Sequence, residues 1–318
     1  MSQPAELRTW HDMLACPICR THLDAIEIGF RCTNAECGAE FASSGGIPVL
    51  INEQRSIFSV SDFMKRKATT FATSDPSLPP RRPSFLRRMI PSNSRSVAPE
   101  IDKRFLSQYR KADQWVLVIG SGDVSYEPSV HSNIIYSDVH VGKAVDLIAD
   151  AHDIPFQDQC IDAILVIAVM EHVADPQRCA AEIERVLKPG GRILAATPFM
   201  QQVHLGRYDF TRFTHLGHRR LWRQFREVES GIACGPGMAL AWSWQYFLLS
   251  FSENQNTRKY LRAFAKLTSF PLTYFDEYLK QKKGAFDAAS SFYFIGEKAE
   301  EPISDRELIA SYRGLDNL

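Results

Sequence analysis

The sequence predicts an α/β protein: an open, mostly parallel sheet with helices on both faces, preceded by a small metal-stapled unit. Three observations predict it. From Trp115 onward, short apolar runs alternate with amphipathic ones, as buried strands joined by helices do. The first run, "VLVI" at 116–119, opens directly into Gly-Ser-Gly, where such sheets place a ligand-binding turn. Four of the seven cysteines fall in two close pairs within the first forty residues.

The cysteines come first in the chain. Cys16, Cys19, Cys32 and Cys37 have the pattern C-x2-C-x12-C-x4-C, and two short pairs on separate turns supply the tetrahedral thiolate shell that zinc takes. The intervening "LDAIEIGFR" alternates as a hairpin does and would bring the second pair beside the first. A unit this small buries too little to stand alone, so a metal staple is physically sensible. Four thiolates leave no open coordination position, which makes the expected Zn2+ structural. "GGIPVLI" (45–51) reads as a turn and closing strand, giving a zinc ribbon over 1–55.

Residues 56–100 shift to Ser, Pro and Arg and read as a basic linker that forms no core. From Lys65 to Lys111 there are twelve Lys/Arg against three Asp/Glu. The whole chain is balanced, with Lys+Arg and Asp+Glu both 37, so bulk charge gives no sign of nucleic acid. No apolar leader opens the sequence, and "MALAWSWQYFLLSF" (238–251) is shorter than the roughly 20 residues of a membrane span. A cytoplasmic location with reduced thiols is therefore expected.

Strand candidates then follow in order: "WVLVI", "NIIYS", "AVDLIA", "IDAILVIA", "GRILAATP", "EVESGIA" and "SFYFIGEK". The last follows a helical insertion over about 235–285 and could return antiparallel. Gly120 and Gly122 stand at the first turn, where backbone must approach a ligand closely. A dinucleotide fingerprint would continue to a third glycine, but Ser125 occupies that place. Asp138 ends the second strand, where a carboxylate can accept from both ribose hydroxyls or serve as a turn residue. Asp150, Ala151 and His152 lie at the tip of the third strand. "AVMEHVADP" follows the fourth, and "DPQRCAAEIERVLKPGG" is a helix stopping at Pro-Gly-Gly.

The stretch "DAHDIPFQDQCIDAILVIAVMEHVADPQRCAAEIERVLKPGGRIL" resembles the class I S-adenosylmethionine (SAM)-dependent methyltransferases, in their small-molecule-type group, with likeness extending over about 115–232. The resemblance implies a seven-stranded Rossmann-like sheet over 101–299 and SAM as cofactor. It implies that Gly120 and Gly122 line the methionine end, that Asp138 holds the ribose, and that Asp150 and Ala151 hold the adenine. Ala168, Val169 and Met170 would flank the sulfonium. Val118, where the family often has an acid, and Ser125 depart from its pattern. The cysteine unit resembles ribbons fused to, or partnered with, methyltransferases.

In-line displacement at a sulfonium requires chiefly alignment and exclusion of water, with a general base only for a weakly acidic hydroxyl. The segment after the fifth strand supplies candidates. His204 is the expected base, and Tyr208, Asp209, Arg212 and His215 are the expected acceptor-binding residues, with Arg212 available to an anionic substituent or to Asp209. The apolar insertion is expected as a substrate cap, a membrane-interface element or buried core. Residues 300–318 form a tail with a short helix. The acceptor expected is a small molecule, glycan or lipid. Alternatives are an rRNA or tRNA base methyltransferase whose ribbon and linker contact RNA, and a non-catalytic methyltransferase-like subunit.

Overall fold

The computed structural model describes residues 9–65, 92–126, 133–142 and 144–315. The ribbon begins with β1 (Leu23–Ile26) and β2 (Gly29–Cys32), the antiparallel hairpin expected from its alternation. β3 (Glu40–Ser44) pairs with β2, and β4 (Ile47–Leu50) turns back along β3. A short helix α1 (Val60–Met64) follows, and α2 (Ile101–Leu106) leads into the main sheet. Strands β5 (Val116–Ile119), β6 (Ile134–Asp138), β7 (Leu147–Ala149) and β8 (Ile161–Ile167) are parallel neighbours in the spatial order β7-β6-β5-β8. All four residues of β5 are buried, as a strand covered on both faces requires.

Helix α3 (Pro176–Val186) starts with proline in its first turn and with Asp175 accepting from the Arg178 amide, two features that fix a helix start. It runs into β9 (Leu187–Pro198), parallel to β8. Helix α4 (His215–Leu221) is N-capped by Thr214 through the Gly217 amide at 3.0 Å. β10 (Phe225–Cys234) is followed by four helices: α5 (Pro236–Leu249), α6 (Gln255–Ser269), α7 (Leu272–Leu279) and α8 (Lys283–Ala288). The carboxylate of Asp276 on α7 receives the first amides of α5, from Gly237 at 2.6 Å and Met238 at 2.9 Å. That ties the insertion together through the positive end of a helix. β11 (Ser291–Lys298) returns antiparallel between β9 and β10, and α9 (Asp305–Ala310) closes the chain with a capping box between Ser304 and Glu307.

Strands β5 to β11 make up the seven expected, in the order β7-β6-β5-β8-β9-β11-β10. The sheet does not stop there, which corrects the picture of a seven-stranded sheet with a detached ribbon. β4 pairs in parallel with β7, Val49 opposite Ile148 and Leu50 opposite Ala149, giving one sheet of eleven strands. The short third strand would otherwise expose an unpaired edge, and the ribbon covers it. Met13, Leu14, Cys16 and Leu23 share a core with Ile154, Phe156 and Ile183. Arg20 of the ribbon pairs with Glu182 at 2.8 Å and Asp153 at 3.2 Å. On the opposite face α2 packs Phe105 and Leu106 against Val116, Val118 and Leu165.

The linker also packs more than its composition suggested. Ser, Pro and Arg content hides single apolar anchors: Phe63 of α1 and Val97 are buried. The arginines at 81, 82, 87 and 88 lie outside the described residues. No helix of the described residues is long and apolar enough to cross a membrane.

Candidate functional site

The cysteine cluster assembles as its spacing requires. Arg20 with φ 67° and Gly38 with φ 55° turn the two loops inward, and Cys16, Cys19, Cys32 and Cys37 bring their Sγ atoms within 4.8 Å of one another. A tetrahedral zinc with bonds of about 2.3 Å sets its sulfurs roughly 3.8 Å apart. Cys16 and Cys37 stand at 3.9 Å and Cys19 and Cys32 at 3.3 Å. All seven cysteines are free of disulfides, so the donor set fits Zn2+.

At the C-terminal edge of β5, β6, β7 and β8 lies a cleft of about 250 Å³, the position at which sheets of this order bind ligands. Gly120, Gly122, Asp138, Asp150, Ala151, Ala168 and Val169 line it. Gly120 has φ 66°, and a Cβ there would meet Val169 Cγ2 at 2.3 Å. Gly122 has φ 54° with open space beyond it, so its backbone faces the cleft bare. Ala168 also adopts a left-handed φ of 55°, a strained conformation that clusters at binding sites. Met170 does not join them; it is fully buried in the core beneath.

The carboxylates are differently held. Asp138 accepts the Gly122 amide at 2.6 Å, and burial raises its pKa against that hydrogen bond. Asp150 accepts from Ser56 Oγ at 2.5 Å and meets His152 Nδ1 at 2.6 Å. His152 Nε2 accepts the Asp175 amide at 3.1 Å. The hydrogen of the neutral ring therefore sits on Nδ1 and is donated to Asp150. Burial pushes Asp150 upward, but the His152 and Ser56 hydrogen bonds more than offset it and hold the pKa below the usual value. An ionised Asp150 is thus built into the fold.

Sequence reasoning missed Ile57 and Phe58, which line the cleft from the start of the linker. A Ser-rich segment gave no signal of a ligand wall; the Ser56–Asp150 bond and β4–β7 pairing bring it there. His140 and His172 line the cleft as well. Val118 packs in the apolar cluster of the α2 face, where an acid would lose its hydration.

The segment after β9 divides. Tyr208 stacks on Phe58 with ring centroids 6.1 Å apart. Arg212 is committed: Nε donates to the Gln201 carbonyl, Nη1 to Asp209 and the Thr211 carbonyl, and Nη2 to the Gln202 carbonyl and Asp209. Those bonds use its five donors, so the anion-binding role gives way to the pairing with Asp209. Burial acts to raise the Asp209 carboxyl, but Arg212 and the His204 amide draw it down to about 2. His215 is also displaced from the site. It is wedged between Phe286 and Phe292, and burial pushes its pKa down to about 4.

His204 stands close to the cleft wall, T-shaped against His172 at 4.9 Å and against Trp242 of α5 at 6.2 Å. Its Nδ1 faces the Gln202 carbonyl at 3.2 Å. Beneath both rings lies Glu171, fully buried, with neither carboxylate oxygen accepting a hydrogen bond from another residue. Burial pushes its pKa up to about 7.

Comparison with known proteins finds a matching family model and several partial relatives. Residues 119–195 match the family model described as a methyltransferase domain. A demethylmenaquinone methyltransferase of Clavibacter sepedonicus is 42% identical over 64 residues, 19% of this chain and 26% of that protein. A ubiquinone/menaquinone biosynthesis C-methyltransferase of Psychromonas ingrahamii is 35% identical over 79 residues, 24% of this chain and 31% of its own length. A solved complex of the Haloferax volcanii Trm112 methyltransferase activator with a methyltransferase aligns at 17% identity and a TM-score of 0.40, over 63% of this chain and 90% of that one. The chain spans less than a third of the length of the curated relatives it matches. The matching segment begins at the last residue of β5 and holds β6 to β8 and most of β9, strands whose ends form the cleft.

Proposed function

We propose that the protein is a class I SAM-dependent methyltransferase acting on a small-molecule, glycan- or lipid-type acceptor. The observation that carries this reading is the convergence of Gly120, Gly122, Asp138, Asp150 and Val169 on one cleft at the strand edge of a matched methyltransferase domain. The residues present fit SAM. The two left-handed glycines leave backbone bare for its methionine end. Asp138 supplies the acceptor for ribose hydroxyls, with its orientation fixed by the Gly122 amide. Asp150 and Ala151 face the adenine edge between the walls made by Ile57, Phe58 and Val139. SAM supplies a methyl group already activated on a sulfonium. The protein's own tasks are therefore to hold the acceptor in line and keep water out.

Two features bear on the acceptor. The cleft wall at His172 and Leu205 adjoins His204 and Trp242, so an acceptor would enter beneath the helical insertion. That insertion exposes Phe247, Phe251, Tyr260, Phe264, Tyr274, Phe275 and Tyr278. A surface so rich in exposed aromatics favours a lipid-like acceptor met at a membrane interface.

The test is methyl transfer from labelled SAM to cell extract separated into lipid, small-molecule, protein and RNA fractions. Label is expected in the lipid or small-molecule fraction. Label confined to RNA would replace this acceptor class with nucleic acid, and no label in any fraction would leave the chain as a non-catalytic subunit.

A further inference from the structure

Glu171, His172 and His204 combine three features that the methyltransferase reading leaves unexplained. First, a fully buried carboxylate receives no hydrogen bond from any other residue, a state that costs several kcal/mol unless a partner is supplied. Second, both imidazoles are oriented the same way. His172 Nδ1 lies 2.8 Å from the Tyr208 carbonyl and His204 Nδ1 lies 3.2 Å from the Gln202 carbonyl. A carbonyl only accepts, so each ring carries its hydrogen on Nδ1 and presents a lone pair at Nε2. Third, those lone pairs converge on the carboxylate. Glu171 Oε1 stands 3.6 Å from His172 Nε2 and 4.0 Å from His204 Nε2, and the three potential ligand atoms lie within 4.8 Å of one another.

With Glu171 ionised, three acceptors face one another with no donor between them; they repel, and they attract a cation. Two atoms bound to one ion at about 2.1 Å lie roughly 3 to 4.2 Å apart, depending on the angle, which spans both distances to Glu171. Ring N–H groups held by backbone carbonyls are the usual outer support of metal-ligating histidines. His204 has further support, because the Asp209 carboxylate accepts its backbone amide at 2.9 Å and lies 3.5 Å from its Nδ1. Asp209 is in turn held by Arg212. The committed arginine and aspartate thus gain a purpose: they fix the loop that carries His204.

We propose that Glu171, His172 and His204 form a binding site for one divalent first-row transition ion on the wall of the cleft. Two imidazoles favour such an ion over Mg2+ or Ca2+. Three protein ligands, unlike the four thiolates of the ribbon, leave coordination positions open. Taken with the methyltransferase reading, on which this clause alone rests, the open positions would receive an oxygen of the acceptor, a hydroxyl or phosphate. The ion would then orient that oxygen and stabilise its anionic form.

The experiment uses the full chain with its ribbon metal in place and Co2+ as the probe, followed by calorimetry and visible absorption without SAM or acceptor. One Co2+ per chain is expected, with the weak absorption of nitrogen and oxygen ligands and no thiolate charge-transfer band. His204→Ala, at a partly exposed ring, and the isosteric Glu171→Gln are each expected to weaken binding at least tenfold, with ribbon zinc content unchanged. Absence of Co2+ binding, a spectrum showing thiolate ligation only, or wild-type affinity in both variants would overturn the site. Because binding is read without cofactor, its failure is distinguishable from failure of the SAM reading, which a separate SAM titration tests.

Discussion

Substituting Gly120 tests whether the first turn must approach the fourth strand as closely as the cleft geometry implies. An alanine at Gly120 meets two obstacles. Its φ of 66° places any L-residue in the left-handed region, which costs about 1–2 kcal/mol. Its Cβ would also stand 2.3 Å from Val169 Cγ2, and Val169 is β-branched and stiff, so relief requires backbone movement costing about 1–3 kcal/mol. Gly120→Ala is therefore expected to destabilise the protein by about 2–5 kcal/mol in urea denaturation. The two parts separate in a double-mutant cycle. In a Val169→Ala background the clash disappears and only the backbone penalty of about 1–2 kcal/mol remains. A cost below about 0.5 kcal/mol for Gly120→Ala, or strictly additive effects of the two substitutions, would refute the reasoning.

Other consequences follow from the same structure. Cys16→Ser and Cys32→Ser should each lose about one equivalent of zinc in metal analysis. Because the ribbon shares strand pairing and core with the main sheet, they should also lower the melting temperature of the whole chain; a mutant lacking zinc but melting as wild type would count against the shared core. Stability should fall on acidification below pH 6.5, because burial depresses His215 to about 4 and His218 to about 3. Between those values and 6.5 the unfolded chain binds protons that the folded one refuses, so stability is full above 6.5 and is lost downward. At pH 5 this amounts to about 2 kcal/mol per histidine. His215→Phe, which keeps the aromatic packing, should remove about half the difference in urea midpoint between pH 8 and pH 5, and an unchanged difference would contradict the assignment.

Much of this was legible in the sequence because its signals are local. The cysteine spacing dictates two turns and a hairpin, and the apolar runs dictate strands, so both were readable without tertiary information. The glycine turn, Asp138 and the Asp150–Ala151 step were readable because sheet order places strand ends at one edge. What escaped depends on long-range pairing. Nothing local says that β4 docks on β7, so the ribbon looked detached and Ile57 and Phe58 looked like linker. Arg212 and His215 were misplaced for a related reason: composition shows a charged or titratable group but not whether neighbours have already used it. Arg212 is consumed by Asp209 and loop carbonyls, and His215 by two phenylalanines. Glu171 was visible as part of "MEHV", but its isolation from hydrogen-bond donors exists only in the folded chain.

The most direct measurement of the central claim is a calorimetric titration of SAM into the full chain and into Asp138→Ala, with folding of both checked by circular dichroism. The account predicts one site in the wild-type protein. It predicts at least a tenfold weaker site in Asp138→Ala, the loss of about 1.5–3 kcal/mol expected when hydrogen bonds to a charged acceptor are removed. A folded wild-type chain that takes up no SAM, or a folded Asp138→Ala that binds it equally well, would contradict it.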